Sequence, residues 1–356
     1  MRSTLINIAL LCCSIVVTLL FLEGALRLFA AFEPCRALGS IPDKLLWQVR
    51  PPHQDFSTDC GEYQTHYTTN SSGFRGPEFP PKSHQDTKRI VVLGDSFVEA
   101  IEVEESERFA RLIDSDLGEQ TDAVIIGFRG SSPVHALAHY KNLATNYNPD
   151  VVVHSFYSVN DIIETDEDFV NLHPHENWRL KLGRSSLLVQ LLYDRVYRPI
   201  ALSGQEKEKK TARQAVGPFF KFTKEGYADL EKIGAWEYTR NVMRNLKNEV
   251  ENDGAELLVV IIPPHFLVHE ERKEEMRTML GEYVAHDEWD FTSTYDRLLL
   301  ELREEGIKVI DPLSALQEEH SDGDRLYFAV DPHINALGHR TVADVLTPVI
   351  AAILGL

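Results

Sequence analysis

The sequence predicts an α/β fold: a doubly wound (flavodoxin-like) parallel five-stranded sheet with helices on both faces, plus an N-terminal transmembrane helix and a helical insertion. Three observations carry this reading. Short, continuous, β-branched apolar runs recur along the chain, as strands do when both faces of a parallel sheet are covered. Stretches of helical length separate them, and strand alternating with helix is the pattern of a doubly wound sheet. One further apolar run, Leu5 to Leu22, stands apart at the N-terminus.

That first run is uncharged and about 18 residues long, near the lower limit for crossing a hydrocarbon core as a helix. Arg2 precedes it, and Glu23 and Arg27 follow. A cationic start before a single apolar span favours a cytoplasmic N-terminus with the remainder outside. The run exceeds the usual h-region of a secretory signal, so residues 1–30 read as an uncleaved anchor; a signal cleaved near Ala30 and Ala31 is the alternative. No lipoprotein box precedes Cys12, because Leu11 stands where a small residue is needed. Cys35 and Cys60 would both lie on the exported side, where a disulfide can persist, and the sequence leaves open whether they pair.

Residues 31–87, rich in Pro, Thr, Ser and Gly, read as a connector and a small N-terminal region, with a turn at Asn70-Ser71-Ser72-Gly73. Residues 88–356 form the main domain. Its strands are expected at Arg89 to Leu93, Ala123 to Ile126, Val151 to Phe156, Leu257 to Ile262 and Ile307 to Ile310. Its helices are expected at Phe109 to Leu117, Val134 to Asn146, Trp236 to Asp253, Tyr295 to Glu305 and Ala336 to Leu354. An insertion at about 164–235 is too long for a plain loop and should carry its own helices. The charged run Glu206 to Lys210 within it reads as a solvated hinge or helix face.

Composition narrows the partners. Of the 356 residues, 36 are Lys or Arg and 55 are Asp or Glu, a formal net charge of −19. No long basic run is present, so nucleic acid is not an expected partner. At 43% hydrophobic and 26% charged, the chain is neither disordered nor fibrous.

In an open parallel sheet, ligands sit beyond the carboxyl ends of the strands, where strand order reverses. The residues following the strands are therefore the informative ones: Gly94-Asp95-Ser96-Phe97, then Gly127-Phe128-Arg129-Gly130-Ser131-Ser132, then Ser158-Val159-Asn160-Asp161, and finally Asp331-Pro332-His333 before the last helix. Together they supply a hydroxyl, backbone donors, an amide, an imidazole and a carboxylate. Those are the parts of an acyl-transfer site, in which His activates Ser and a carboxylate orients His. Backbone N–H groups and an amide such as Asn would hold the oxyanion. Proline favours an extended Asp331, so Asp331 and His333 can point the same way. A helix-capping role for Asp331 and Asn335 is the bland alternative.

These blocks resemble the SGNH (GDSL-type) hydrolase superfamily, over roughly residues 88 to 354 apart from the insertion. The resemblance implies Ser96 as nucleophile, His333 as general base and acid, and Asp331 as its orienting carboxylate. It implies an oxyanion hole from the N–H groups of Ser96 and Gly130 and the side chain of Asn160, with Gly127 as a less favoured donor glycine. Asp95 and Asp161 would support the loops. The chain departs from the common pattern at Val159, where glycine is frequent, at Ile126, and in the two-residue spacing from Asp331 to His333. That shorter spacing is similar to exported, membrane-linked members, including polysaccharide O-acetyltransferases related to alginate modification. The anchor ending in Leu22-Glu23-Gly24-Ala25-Leu26-Arg27, followed by Asn70-Ser71-Ser72-Gly73-Phe74-Arg75-Gly76, resembles membrane-anchored bacterial members. Arg75 reads as structural, with a site-lining role as the alternative.

The resemblance implies an exported, membrane-tethered serine esterase removing a small acyl group, such as acetyl, from an envelope glycan or lipid. A polysaccharide O-acetyltransferase using the same residues, and a non-catalytic glycan-binding envelope protein, are the alternatives. No cofactor and no metal are expected. His265 and His269 have helical spacing, but Glu270 follows them rather than lying between them as a zincin helix requires. His173 and His175 form an isolated pair, and no Gly-rich phosphate loop is present. Oligomeric state is not legible.

Overall fold

The structure is a computed structural model that describes residues 2–29, 40–81, 87–162, 211–321 and 323–356. The chain divides into two compact units, one holding Met1–Gly39 and His175–Lys209, the other Ser40–Pro174 and Lys210–Leu356. In the first, Arg2–Phe29 is one helix of 28 residues, about 42 Å long at 1.5 Å per residue. Leu11, Val17, Leu20 and Phe21 are exposed along it. His173, His175 and the run 206–210 lie outside the described residues.

Among the described residues, the second unit contains nine strands. Two short antiparallel hairpins come first: β1 (Ile41–Asp43) with β2 (Trp47–Val49), and β3 (Asp55–Asp59) with β4 (Gln64–Thr68). The main sheet follows as β5 (Lys88–Gly94), β6 (Thr121–Gly127), β7 (Val151–Tyr157), β8 (Glu256–Ile262) and β9 (Lys308–Ile310), in the order β6-β5-β7-β8-β9 and parallel throughout. This is the doubly wound arrangement anticipated from the apolar runs. All seven residues of β7 are buried, as a central strand covered on both faces requires.

The helices sort between the two faces of the sheet. Phe109–Leu117 packs with Ala336–Leu354 on one face; Pro133–Asn142, Ala235–Asn252 and Ser293–Glu304 form the other layer. The helix Ala336–Leu354 is long and apolar enough to span a membrane by length and composition alone. Its buried residues Val342, Ala343, Leu346 and Ile350 instead face the sheet core, and His339 Nδ1 accepts the Phe109 N–H at 3.2 Å.

Residues 211–235, expected within the insertion, close onto the core. They form the helices Ala212–Val216 and Lys224–Lys232 around a 3₁₀ segment, Gly217–Phe222. Phe222 is fully buried against Phe266, an edge-on pair with centroids 5.0 Å apart.

Strand order reverses between β5, whose next strand in sequence lies on one side, and β7 on the other. The loops leaving these two strands therefore diverge and leave a crevice above their carboxyl ends. Ser96 and Asn160 stand at that point.

Candidate active site

Ser96 opens the four-residue helix Ser96–Glu99 directly after β5. Asp95 caps this helix by accepting the Phe97 N–H at 3.0 Å, and Asn160 Nδ2 donates to the other Asp95 oxygen at 3.2 Å. The turn is tight. A Cβ on Gly127, at the end of β6, would lie 2.4 Å from the Glu99 nitrogen, so glycine lets the second strand end against the helix that Ser96 opens.

His333 reaches Ser96 from the far end of the chain: its Nε2 lies 2.8 Å from Ser96 Oγ, and its Nδ1 lies 2.5 Å from Asp331 Oδ1. Asp331 Oδ1 also accepts the His333 backbone N–H at 3.0 Å. Asp331 thus turns to the imidazole and not to the final helix, which Asn335 caps through the Gly338 N–H. Burial opposes the charge on Asp331, but the two hydrogen bonds from His333, its nearby charge and that of Arg129 together outweigh it and hold the carboxyl below its ordinary range. Burial likewise disfavours the His333 cation, yet Asp331 and Glu102 overcome it and raise the imidazole above its ordinary value.

Gly130 occupies an exposed turn after β6 with φ of +82°, in the left-handed region that glycine accepts without strain. No hydrogen bond among the described residues takes the N–H of Ser96 or of Gly130. Asn160 is exposed, and its amide retains a second N–H beyond the one given to Asp95. Gly127 is buried between strand and helix as a packing glycine. Asp161 accepts the Tyr157 N–H at 2.8 Å and fixes the turn carrying Asn160. Burial, then the nearby Asp95 carboxylate, pushes the Asp161 carboxyl well up.

Three supporting glutamates carry no motif and were not legible in the sequence, whereas a fourth support, Arg75, was read there as structural. Glu102, 2% exposed, places Oε1 3.4 Å from His333 Nδ1 and pairs with Arg129 of the Gly130 turn. Burial pushes its carboxyl up, partly offset by His333 and Arg129. Glu99 accepts the Arg129 N–H at 2.7 Å and both arms of Arg50, at 2.7 and 2.8 Å, with the Tyr67 hydroxyl as a further donor. Glu62, in the β3–β4 turn, accepts the N–H groups of Val330 and Asp331 at 2.9 and 2.8 Å. Arg75 donates to the carbonyls of Glu99, Ala100 and Val103 and holds the turn in which Ala100 adopts φ of +46°. It is a structural arginine. Residues 40–81 thus support the loops on both sides of Ser96.

Residues 222–354 match the family model of the SGNH hydrolase-like domain of acetyltransferase AlgX. This chain carries an SGNH hydrolase-like domain. The matched stretch includes Asp331 and His333, while Ser96 lies upstream of it. Among solved structures, the chain is similar to a carbohydrate acetylesterase family member from Sinorhizobium meliloti, at 16% identity and a TM-score of 0.40, covering 76% of this chain and 100% of that one. It is also similar to a catalytic mutant of an acetylxylan esterase from Geobacillus stearothermophilus, at 13% identity and a TM-score of 0.40, covering 78% and 97% of the two chains. No curated protein matches the sequence.

Proposed function

We propose that this SGNH-type protein is an exported, membrane-tethered serine esterase that removes a small acyl group, such as acetyl, from an envelope glycan or lipid. The observation that carries the reading is the hydrogen-bonded series Ser96, His333, Asp331 beside two uncommitted backbone N–H groups.

Neutral His333 Nε2 takes the Ser96 Oγ proton as Oγ bonds to the acyl carbon. The tetrahedral oxyanion is held by the N–H groups of Ser96 and Gly130 and the Asn160 amide. Its collapse breaks the ester C–O bond, and the departing alcohol takes the proton from His333. Water then attacks acyl-Ser96, gives its proton to His333, and releases the carboxylic acid as Ser96 is reprotonated. Asp331 stays ionised and stabilises the imidazolium in each half.

Polysaccharide O-acetyl transfer is the second reading, and the match to the AlgX domain favours it. A sugar hydroxyl would replace water in the second half. Export is supported by the apolar exposed face of Arg2–Phe29 and by Cys60, which is disulfide-bonded, a state that persists in oxidising compartments. Cys35 lies outside the described residues, and Cys13 is free.

The full-length chain in detergent, given an activated acetyl ester with and without acceptor oligosaccharide, is expected to release acetate in both cases. Acetyl accumulating on the sugar faster than acetate appears would establish transfer instead, and no turnover in either arm would refute both readings.

The base must be neutral to act, so kcat/KM should rise with pH through an apparent pKa above the ordinary value of 6.5. Glu102 raises that value, and Glu102→Gln should move the acidic limb to lower pH. A pH profile of the variant that overlays the wild type would remove Glu102 from the account.

A further inference from the structure

A second cluster lies away from Ser96, where His269, Glu271 and His320 bring their donor atoms within 4.8 Å of one another. We propose that these residues form a site for a divalent transition ion of the zinc type, which clamps the segment after β8 to the helix Leu313–Ser321. The inference is independent of the acyl chemistry proposed for Ser96.

The donor set is two imidazoles and one carboxylate, which suits zinc with a water in the fourth position. Glu271 stands between the rings: His269 Nδ1 lies 3.7 Å from one carboxylate oxygen and His320 Nε2 lies 3.7 Å from the other. Both separations exceed hydrogen-bond range. Tetrahedral ligands at about 2.0–2.2 Å from zinc sit roughly 3.3–3.6 Å apart, so the two imidazole–carboxylate separations are a few tenths of an ångström from that spacing, and side-chain rotation would close the set around an ion.

Two further observations point to a ligand. His320 Nδ1 is 3.0 Å from the Asp324 carbonyl, which can only accept; Nδ1 therefore carries the proton and Nε2 presents its lone pair toward Glu271. A carbonyl on the far nitrogen fixes a metal-binding imidazole in this way. His269 is 3% exposed, and its Nδ1, the nitrogen that faces Glu271, has only a contact too long for a hydrogen bond. A ring so buried, with that nitrogen not hydrogen-bonded, calls for a partner.

The surroundings hold the donors in place. Gln317, one turn before His320, donates to the Leu267 carbonyl at 2.8 Å. Arg272 is committed to Glu275 and to the Ala329 carbonyl, two residues before Asp331, so the cluster is tied to the loop that carries His333. Glu102, Asp331 and His333 make a second group of similar compactness. There, Arg129 already occupies Glu102, and Asp331 is hydrogen-bonded to His333.

The test is zinc titration of the chelator-stripped, full-length chain in detergent, followed by metal content and thermal unfolding. One zinc per chain and a rise in Tm of about 3–6 °C at a hundredfold excess over Kd are expected. His320→Ala and Glu271→Gln should each abolish the rise while leaving the metal-free Tm and ester turnover at wild-type values. No retained zinc, or equal retention by both variants, would overturn the proposal. So would zinc that inhibits ester turnover in wild type and His320→Ala alike, because the ion would then sit on His333.

Discussion

Ser96→Ala is expected to lower kcat for acetyl-ester hydrolysis by about 10⁴–10⁶-fold with little change in Tm. The size follows from what one atom does. In the proposed mechanism Oγ forms the acyl intermediate, and His333 Nε2, 2.8 Å away, takes its proton. Residual rate over water should survive, because the donors at Gly130 and Asn160 remain. The fold should be indifferent to the change, since among the described residues Ser96 Oγ has no partner besides His333 and the helix cap belongs to Asp95. A variant that keeps more than about a tenth of wild-type kcat is incompatible with Ser96 as nucleophile.

The second large effect is on stability. Glu99 is 1% exposed and receives Arg50, itself 5% exposed, through two bonds, together with Tyr67 and the Arg129 N–H. Glu99→Ala would strip the buried Arg50 cation of the carboxylate it holds through two bonds, a loss of about 3–5 kcal/mol. Thermal unfolding should fall by on the order of 10 °C for a domain of this size. Activity should fall with it, because Glu99 positions the turn that presents Gly130. The double variant Arg50→Met with Glu99→Leu should recover most of the stability, since two apolar side chains leave no isolated charge. Burial opposes ionisation of Glu99, but Arg50 prevails and lowers the carboxyl below 4.5. Its contribution is therefore complete above about pH 4.5 and is lost as pH falls through the lowered value. A Glu99→Ala chain as stable as wild type at neutral pH would contradict this ion pair.

Much of the sheet was legible because its strands are unusually plain. β5 and β8 are apolar after their first residues, and β7 is interrupted only by His154 and Ser155; buried parallel strands need no polar face. The loop residues after them follow from where such sheets bind ligands. The two N-terminal hairpins were not legible: β3 (DFSTD) and β4 (QTHYT) are polar and pair with each other, so no hydrophobic period marks them. Glu62 and Glu102 were invisible for a different reason. Each meets the His333 loop across more than two hundred residues of sequence, with ordinary acidic neighbours and no motif. His269 was paired in sequence with His265 at helical spacing, but the ring it meets in space is His320, with centroids 4.1 Å apart. Residues 211–235 read as insertion because they follow a long polar stretch; Phe220 and Phe222 place them in the core.

The claim on which the account rests is that acyl groups pass through Ser96. It is tested most directly by labelling the full-length chain with an acetyl-ester-competitive fluorophosphonate, then locating the adduct by peptide mass spectrometry. A single adduct on Ser96, prevented by His333→Ala and by prior acetyl ester, is the predicted result. An adduct on another residue, or ester turnover that persists while Ser96 stays unlabelled, would contradict it.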